Sequence, residues 1–244
     1  MRILVLGATS GIGWSLCTTI APTHDLLLAG RDEAGLENVA EACRNAGAAS
    51  AEVCLSDLSL GPAAILASCR KPPIDLVMNV ASSTSQLRDC EIRMTALRQH
   101  VEVDLLAPVQ LVRELLELQP KRPLRVLLIS TVLAAINSPE RAIYGRLKNL
   151  QEHCLEQLQQ DFPQLKVQIF RVGKAIPPGL PNAATQHLAQ AAAGLLAIDK
   201  PRHMYGAGGV ALLALSNMQP LLLQGLLRLR RLAANRPNRQ PAAL

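Results

Sequence analysis

Tyr144 and Lys148 lie four positions apart in the segment Tyr-Gly-Arg-Leu-Lys and could together move a proton. A tyrosine hydroxyl has an ordinary pKa of about 10, which is too high for easy proton exchange near neutrality. A lysine one helical turn later lies on the same helix face, and its positive charge favours the tyrosinate. Such pairs are common on helices, so general acid–base chemistry is predicted only if a second motif supports it.

A glycine-rich turn near the N-terminus is that second motif. It follows a short apolar run and comprises Gly7, Ala8, Thr9, Ser10, Gly11, Ile12 and Gly13. Glycines let a backbone approach a diphosphate closely, and the next helix begins with free N–H groups and partial positive charge. All of these residues except Ala8 are predicted to bind a dinucleotide; a purely structural turn is the alternative. Together, the two motifs predict hydride transfer between a nicotinamide cofactor and a carbonyl or alcohol.

The order of apolar segments predicts the fold that positions these motifs. Strands are expected at 2–6, 25–29, 50–55, 74–79, 124–130 and 165–171, with a short last strand near 203–206. Helices are expected at 11–20, 32–46, 62–69, 97–118, 139–160 and 184–198. This alternation predicts an α/β fold: a single Rossmann-like, doubly wound parallel sheet with helices on both faces. The glycine turn, Asn79, Thr131 and Gly173 all follow strands and should line one crevice.

The glycine spacing and the tyrosine–lysine pair resemble those of the short-chain dehydrogenase/reductase family over roughly residues 1–200. The resemblance implies that Thr131 stands where the family has its catalytic serine, with Ser130 as the alternative hydroxyl. It implies that Tyr144 is the acid in reduction, that Lys148 tunes Tyr144 and binds the nicotinamide ribose, and that Thr131 orients the carbonyl. The helical asparagine of the family's proton relay is replaced by Asp104.

The resemblance also implies the cofactor. Arg31 follows the second strand where NAD-using relatives place an acid, so a pairing with the 2′-phosphate of NADP(H) is expected. A solvated arginine is the alternative, and Asp32 is adjacent. The other residues implied in cofactor binding are Asp57, Leu58, Asn79, Ala81, Gly173, Ala175 and Ile176, besides Tyr144 and Lys148. Pro177 replaces a threonine that would anchor the carboxamide, so this anchor is altered.

Composition limits the remaining possibilities. Apolar residues make up 49% of the 244 residues and aromatic residues only 2%, so the core and any pocket must be aliphatic. The six cysteines are scattered without a metal-like cluster, which indicates reduced thiols in a cytoplasmic protein and no metal site. No apolar run reaches the roughly 18 residues of a spanning helix. Five of the six net positive charges lie in residues 228–244, so the body is not a nucleic-acid surface.

The chain is expected to form one catalytic and NADP-binding domain, residues 1–206, followed by an apolar and basic helical extension, residues 207–244. The extension has three interpretations: a helix that completes the core, a peripheral membrane contact, or a lid over an aliphatic or lipophilic substrate. The helices near 97–118 and 139–160 are expected to join subunits in a homodimer or homotetramer. The rival to an enzyme acting on a small carbonyl or alcohol is a non-catalytic NADP(H)-binding sensor or scaffold.

Overall fold

A computed structural model of the protein describes residues 1–70, 72–83, 88–89, 92–136, 140–173, 179–198 and 200–206. The strands are β1 (Arg2–Leu6), β2 (Asp25–Gly30), β3 (Ala51–Leu55), β4 (Leu76–Asn79), β5 (Leu124–Thr131), β6 (Leu165–Val172) and β7 (Arg202–Tyr205). The helices are α1 (Gly11–Ile20), α2 (Glu33–Asn45), α3 (Ala63–Ser68), α4 (Met94–Val101), α5 (Ala107–Leu118), α6 (Ala142–Asp161) and α7 (Ala183–Gly194).

The seven strands form one parallel sheet in the order β3-β2-β1-β4-β5-β6-β7. The order reverses between β1 and β4, the point at which doubly wound sheets bind ligands. The predicted α/β fold with helices on both faces is confirmed. The short last strand expected near 203–206 is also confirmed: it is β7, which pairs with β6.

Each face of the sheet has its own buried core, because successive side chains of a strand point to opposite faces. Leu4 and Leu6 of β1 pack on the side of α3, α5 and α6. Ile3 and Val5 pack on the side of α1, α2 and α7. Strands covered on both faces are nearly all apolar, and β1 is buried along its whole length. This double burial fixes the strand ends, on which the site is built.

The helix predicted at 97–118 is not one regular α-helix but comprises most of α4, a turn and α5. Between α4 and α5 lies a π-helical turn, Glu102–Leu106, in which the N–H of Ala107 bonds the carbonyl of Glu102. π-turns of this kind often occur at functional sites. The turn carries Asp104 into the interior, where the carboxylate is fully buried. No sequence pattern revealed this change of helical register.

The apolar face of α5 and of its preceding turn, which was expected to join subunits, is covered within the single chain. Leu105, Val112, Leu115 and Leu116 are buried in the core of the single chain, and Val109 packs against that core. Their apolar area is therefore already covered by the sheet. Exposed apolar side chains lie instead at Leu106, Leu118 and Leu150. Assembly into a homodimer or homotetramer stays a prediction.

Several predicted features lie outside the described residues. These are the extension 207–244 with its basic tail, the cofactor contacts of Ala175 and Ile176, and the altered anchor at Pro177. Within the described ranges, no helix has both the length and the apolar character needed to cross a membrane.

Candidate active site

The glycine turn joins β1 to α1 in a tight loop held by Ser10. The Ser10 hydroxyl donates to the Gly7 carbonyl at 2.9 Å and accepts from the Gly13 N–H at 3.0 Å, so it caps α1. Gly7 has φ +80°, a left-handed conformation that favours glycine. A side chain at Gly7 would also lie 2.9 Å from the backbone of Ala81. The loop can therefore turn only with glycine at this position.

Gly11 and Gly13 permit two further close approaches. A Cβ on Gly13 would lie 2.2 Å from the Gly7 carbonyl oxygen, and one on Gly11 would lie 2.5 Å from the Gly179 carbonyl oxygen. Gly13 therefore allows the first turn of α1 to pack against the loop. Gly11 allows the segment that follows β6 to approach the helix N-terminus.

A cavity of about 550 Å³ opens above this loop at the carboxyl ends of β1, β2 and β4. The predicted cofactor residues that line it are Gly7, Thr9, Ser10, Gly11, Ile12, Arg31, Asp57, Leu58 and Ala81. Sequence reasoning missed other lining residues, among them Ser56, Val80, Ser83, Val103 and Leu180. The turn and the ends of β1, β2 and β4 thus form one crevice. Asn79, Thr131 and Gly173, which were expected to line the same crevice, are not among its described lining residues, and neither are Tyr144 and Lys148.

Arg31 and Asp57 lie together at the β2–β3 end of the cavity. Hydrogen bonding from Ser59 lowers the pKa of Asp57, and the nearby charge of Arg31 lowers it further. The Asp57 carboxylate accepts the Ser59 N–H at 2.9 Å and caps a short turn. The Arg31 side chain is exposed. A cation is therefore available at this end of the cavity.

The end of β4 is linked to α6 by hydrogen bonds among Asn79, Ala81 and Lys148. The Asn79 side-chain oxygen accepts the Ala81 N–H at 3.1 Å, and Lys148 Nζ donates to the Ala81 carbonyl at 3.2 Å. Burial lowers the pKa of Lys148, whereas the carboxylates of Asp104 and Glu152 raise it. Asn79 Nδ2 is buried with no protein partner in the described part of the chain. A bound polar group could take up this donor.

Tyr144 and Thr131 meet at the end of β5. Thr131 is its last residue, and Tyr144 is in the first turn of α6. Burial raises the pKa of Tyr144 well above its ordinary value, and the Asp104 charge raises it further. Arg141 and a hydrogen bond with Thr131 act in the opposite direction. These effects together favour the neutral form of the Tyr144 hydroxyl.

Gly145 allows α6 to approach the β5 end closely. A Cβ at this position would lie 2.6 Å from the Leu133 carbonyl oxygen, just after Thr131. The helix start is also capped from a distance, since the Asp89 carboxylate accepts the N–H of Ala142 at 2.8 Å and of Ile143 at 3.1 Å. Both features position Tyr144, and sequence reasoning missed both.

Ser130, the alternative hydroxyl, makes a different contact from Thr131. Its Oγ donates to Glu152 at 2.5 Å, and both groups are buried. Arg171 Nε also donates to Glu152, at 3.1 Å, which balances the buried carboxylate. Ser130 therefore has a structural partner. Gly173, another predicted cofactor residue, directly follows β6, and its N–H donates to the Tyr205 carbonyl at 2.8 Å.

The profile of the family described as "short chain dehydrogenase" matches residues 1–192. The chain belongs to the short-chain dehydrogenase family. Membership makes it an oxidoreductase of the dehydrogenase/reductase type, in a family whose members act on small molecules and usually assemble as oligomers. No curated protein matches the chain significantly.

Solved structures of this family share the fold. A short-chain dehydrogenase from Sphingobium yanoikuyae in complex with NADPH superposes with a TM-score of 0.74 at 18% identity, covering 99% of this chain and 98% of that one. One from Burkholderia cenocepacia in complex with NADP gives 0.75 at 15%, covering 93% and 96%. The bulky-bulky ketone specific alcohol dehydrogenase from Comamonas testosteroni gives 0.72 at 17%, covering 99% and 96%.

Proposed function

We propose that the protein is an NADP(H)-dependent oxidoreductase that reduces a carbonyl or oxidises the corresponding alcohol, with Tyr144 as the acid or base. The observations that carry this proposal are the hydrogen bond between Tyr144 and Thr131 and the bond from the Lys148 ammonium to the carbonyl of Ala81, a residue that lines the cavity of the glycine turn. Carbonyl reduction requires of a protein a proton donor, a hydroxyl that orients the carbonyl oxygen and a positive charge that stabilises the deprotonated donor, and these three residues are of those types.

The residues present fit an NADP(H) molecule. The Gly7–Gly13 turn has no side chain at Gly7, Gly11 or Gly13, so its backbone is accessible to a diphosphate, and the α1 N-terminus favours an anion. Arg31 lies at the β2 end, where it can pair with a 2′-phosphate. Asn79 Nδ2 and Lys148 Nζ are buried donors that would hold the ribose and nicotinamide of a bound cofactor. Structural neighbours that hold NADPH or NADP are consistent with this preference.

The cofactor, when bound, supplies the hydride. The protein supplies the proton: Tyr144 donates it to the carbonyl oxygen while the Thr131 hydroxyl orients that oxygen and stabilises its developing charge. The Lys148 ammonium stabilises the tyrosinate that remains. The aliphatic composition favours an aliphatic or lipophilic substrate, and we place the reaction in the cytoplasm or at a membrane surface.

A non-catalytic NADP(H)-binding protein is the second candidate, and Asp104 favours it. Its carboxylate raises the pKa of Tyr144 and so opposes formation of the tyrosinate. The two candidates differ in what Tyr144→Phe does, because phenylalanine keeps the ring and removes only the hydroxyl.

The test measures NADPH oxidation over a panel of aliphatic ketones and aldehydes, with NADPH affinity measured by calorimetry. We expect Tyr144→Phe to retain affinity and lose about 10²–10⁴ in rate. Tyr205→Phe, which changes the other tyrosine of the chain, is the matched control and should stay active. A Tyr144→Phe variant as active as the starting protein would exclude the mechanism, and binding without turnover on the whole panel would favour the second candidate.

A further inference from the structure

A single buried carboxylate, that of Glu152, ties the ends of two strands to α6. Its oxygen Oε1 accepts the Ser130 hydroxyl at 2.5 Å and Nε of Arg171 at 3.1 Å, and its oxygen Oε2 accepts Nη2 of Arg171. The guanidinium therefore binds both oxygens, in the forked geometry that gives arginine–carboxylate pairs their strength and direction. Glu152 and Ser130 are buried, and only 11% of the Arg171 side chain is exposed.

The two donors to Glu152 are neighbours across the sheet. Ser130 of β5 lies opposite Arg171 of β6 in the parallel register, and Thr131 is the next residue of β5. Because alternate residues of a strand share a face, Ser130 points to the same side as Leu128, and Arg171 to the same side as Ile169. Both of these apolar residues belong to the core on the α6 side. Glu152 therefore holds the last residues of both strands from the face that α6 covers.

This cluster of Ser130, Glu152 and Arg171 is joined closely to the residues of the proposed chemistry. Thr131, which hydrogen-bonds Tyr144, directly follows Ser130 in the chain. Lys148 lies one helical turn before Glu152 on the same side of α6 and is also fully buried. A movement of β5 relative to α6 would therefore change the distance from the Thr131 hydroxyl to the side chains that α6 carries. The bonds to Glu152 oppose that movement.

Stability alone does not require a buried ion pair at this junction. Replacing such a pair by apolar side chains of similar volume is often neutral or stabilising, because the charges no longer have to leave water. Hydrogen bonds differ from apolar contacts in that their lengths and angles are narrowly defined. Three of them on one carboxylate consequently fix the placement of β5 and β6 on α6 more closely than packing would.

We propose that Ser130, Glu152 and Arg171 are positioning residues, which hold the Thr131 hydroxyl at the distance from Tyr144 that carbonyl reduction needs. This inference rests on the proposed function. The three residues act through the backbone between 130 and 131 and through α6. Their loss should lower kcat, since a misplacement of about 1 Å can slow a reaction about 10²-fold. It should leave NADPH affinity unchanged, because the described crevice lies at the ends of other strands, β1, β2 and β4.

The first experiment separates positioning from stability. Arg171→Met leaves the Glu152 carboxylate buried without its cation, so it should lower both the melting temperature and kcat on a ketone of the panel. The double variant Glu152→Met/Arg171→Met buries no charge, and its melting temperature should return towards that of the starting protein. Its kcat should stay about tenfold lower or more. Recovery of kcat together with stability would overturn the proposal, because the cluster would then be purely structural.

The second experiment removes one bond and no charge. Ser130→Ala keeps the ion pair of Glu152 and Arg171 and frees only the end of β5. We expect kcat to fall about three- to tenfold, less than in the double variant, with the KM for the ketone and the calorimetric NADPH affinity unchanged. A Ser130→Ala variant with the kcat of the starting protein would overturn the role given to this end of β5.

Arg2→Met is the matched control, since Arg2 is another largely buried arginine paired with a carboxylate. It bonds Glu52 of β3 at 2.8 Å, and 7% of its side chain is exposed. Arg2 begins β1, so this pair lies at the opposite, amino end of the sheet. Arg2→Met should lower the melting temperature and leave kcat unchanged. A loss of kcat as large as that of Arg171→Met would show that the rate follows stability, and would overturn the proposal.

Failure of the proposed function would look different. The starting protein itself would then reduce no member of the panel with NADPH, and the positioning role would be rejected with the reaction it serves. Failure of the positioning role alone leaves an active starting protein whose cluster variants are equally active once their stability is restored.

Discussion

The ammonium of Lys148 lies 3.1 Å from the side-chain oxygen of Gln151, three residues later on α6. Both side chains are fully buried, so this contact and the Ala81 carbonyl supply the nearest acceptors for a charge that burial disfavours. Gln151 therefore bears directly on whether Lys148 stays protonated.

Two substitutions at Gln151 should shift the pKa of Lys148 in opposite directions. Gln151→Leu removes an acceptor of the ammonium, so the already lowered pKa of Lys148 should fall further. Gln151→Glu adds a negative charge at the same length and should raise it. The measurement is an NMR titration of labelled lysine, with Lys148→Met to assign the signal. The same direction of shift in both variants would show that Gln151 acts through packing alone.

Tyr144 should titrate far more alkaline than free tyrosine in the cofactor-free protein. Burial is the main cause and Asp104 the next, so Asp104→Asn should lower the pKa of Tyr144 while leaving it raised. With only two tyrosines in the chain, the tyrosinate absorbance of Tyr144 can be isolated by subtracting the Tyr144→Phe spectrum.

This shift also has a consequence for stability. Because the pKa of Tyr144 in the folded chain lies above the unfolded value of about 10, the unfolded chain ionises first. The free energy of unfolding should therefore be unaffected by Tyr144 below about pH 10 and should fall above it. Tyr144→Phe should make this alkaline loss shallower in denaturant titrations; an equally steep loss would contradict a raised pKa.

The sequence predicted the sheet and most of the crevice for identifiable reasons. Strands such as β5 are covered on both faces and can therefore be recognised in the sequence as apolar runs. The glycines at positions 7 and 13 are required by backbone geometry, so their spacing marks the turn. Chain order then placed Arg31, Asp57 and Thr131 at strand ends.

What the sequence did not predict depends on long-range contacts between polar residues. Ser83 meets Asp104 only because a π-turn rotates the acid inward, and nothing in the local pattern marks that turn. Glu152 could have been suspected, since a carboxylate four residues after Lys148 shares its helix face. Its partner Arg171 comes from β6 and required the fold. The sequence also did not show that the apolar face of α5 packs on the sheet, because periodicity reveals an apolar face without revealing what covers it.

Arg31 should decide the choice between NADPH and NADH. It lines the cavity beyond β2, where a guanidinium can pair with a 2′-phosphate by charge-assisted hydrogen bonds. Arg31→Asp should weaken NADPH binding and leave NADH binding similar or stronger, because a carboxylate repels the phosphate and can accept from ribose hydroxyls. Calorimetry with both cofactors measures this. Arg44→Asp, which changes another arginine on the same side of the sheet, is the control and should leave the preference unchanged. Equal affinities of the starting protein for NADPH and NADH would contradict the assignment of NADP(H) as the cofactor.

Gly145 should tolerate a methyl group poorly, and the chain offers a matched control. An alanine Cβ at Gly145 would lie 2.6 Å from the Leu133 carbonyl oxygen, so the start of α6 must move away from the end of β5. At Gly194, the last residue of α7, a Cβ meets nothing within 4 Å. Helix propensity alone favours alanine over glycine by up to about 1 kcal/mol at either position.

We therefore expect opposite signs in denaturant unfolding. Gly194→Ala should raise the free energy of unfolding by a few tenths of a kcal/mol to about 1 kcal/mol, whereas Gly145→Ala should lower it by about 1–3 kcal/mol as an overpacked contact. Since the displaced turn carries Tyr144, Gly145→Ala should also slow any reduction more than it weakens NADPH binding. If both variants are stabilised alike, α6 does not approach β5 as closely as described, and the geometry assigned to Tyr144 and Thr131 must be revised.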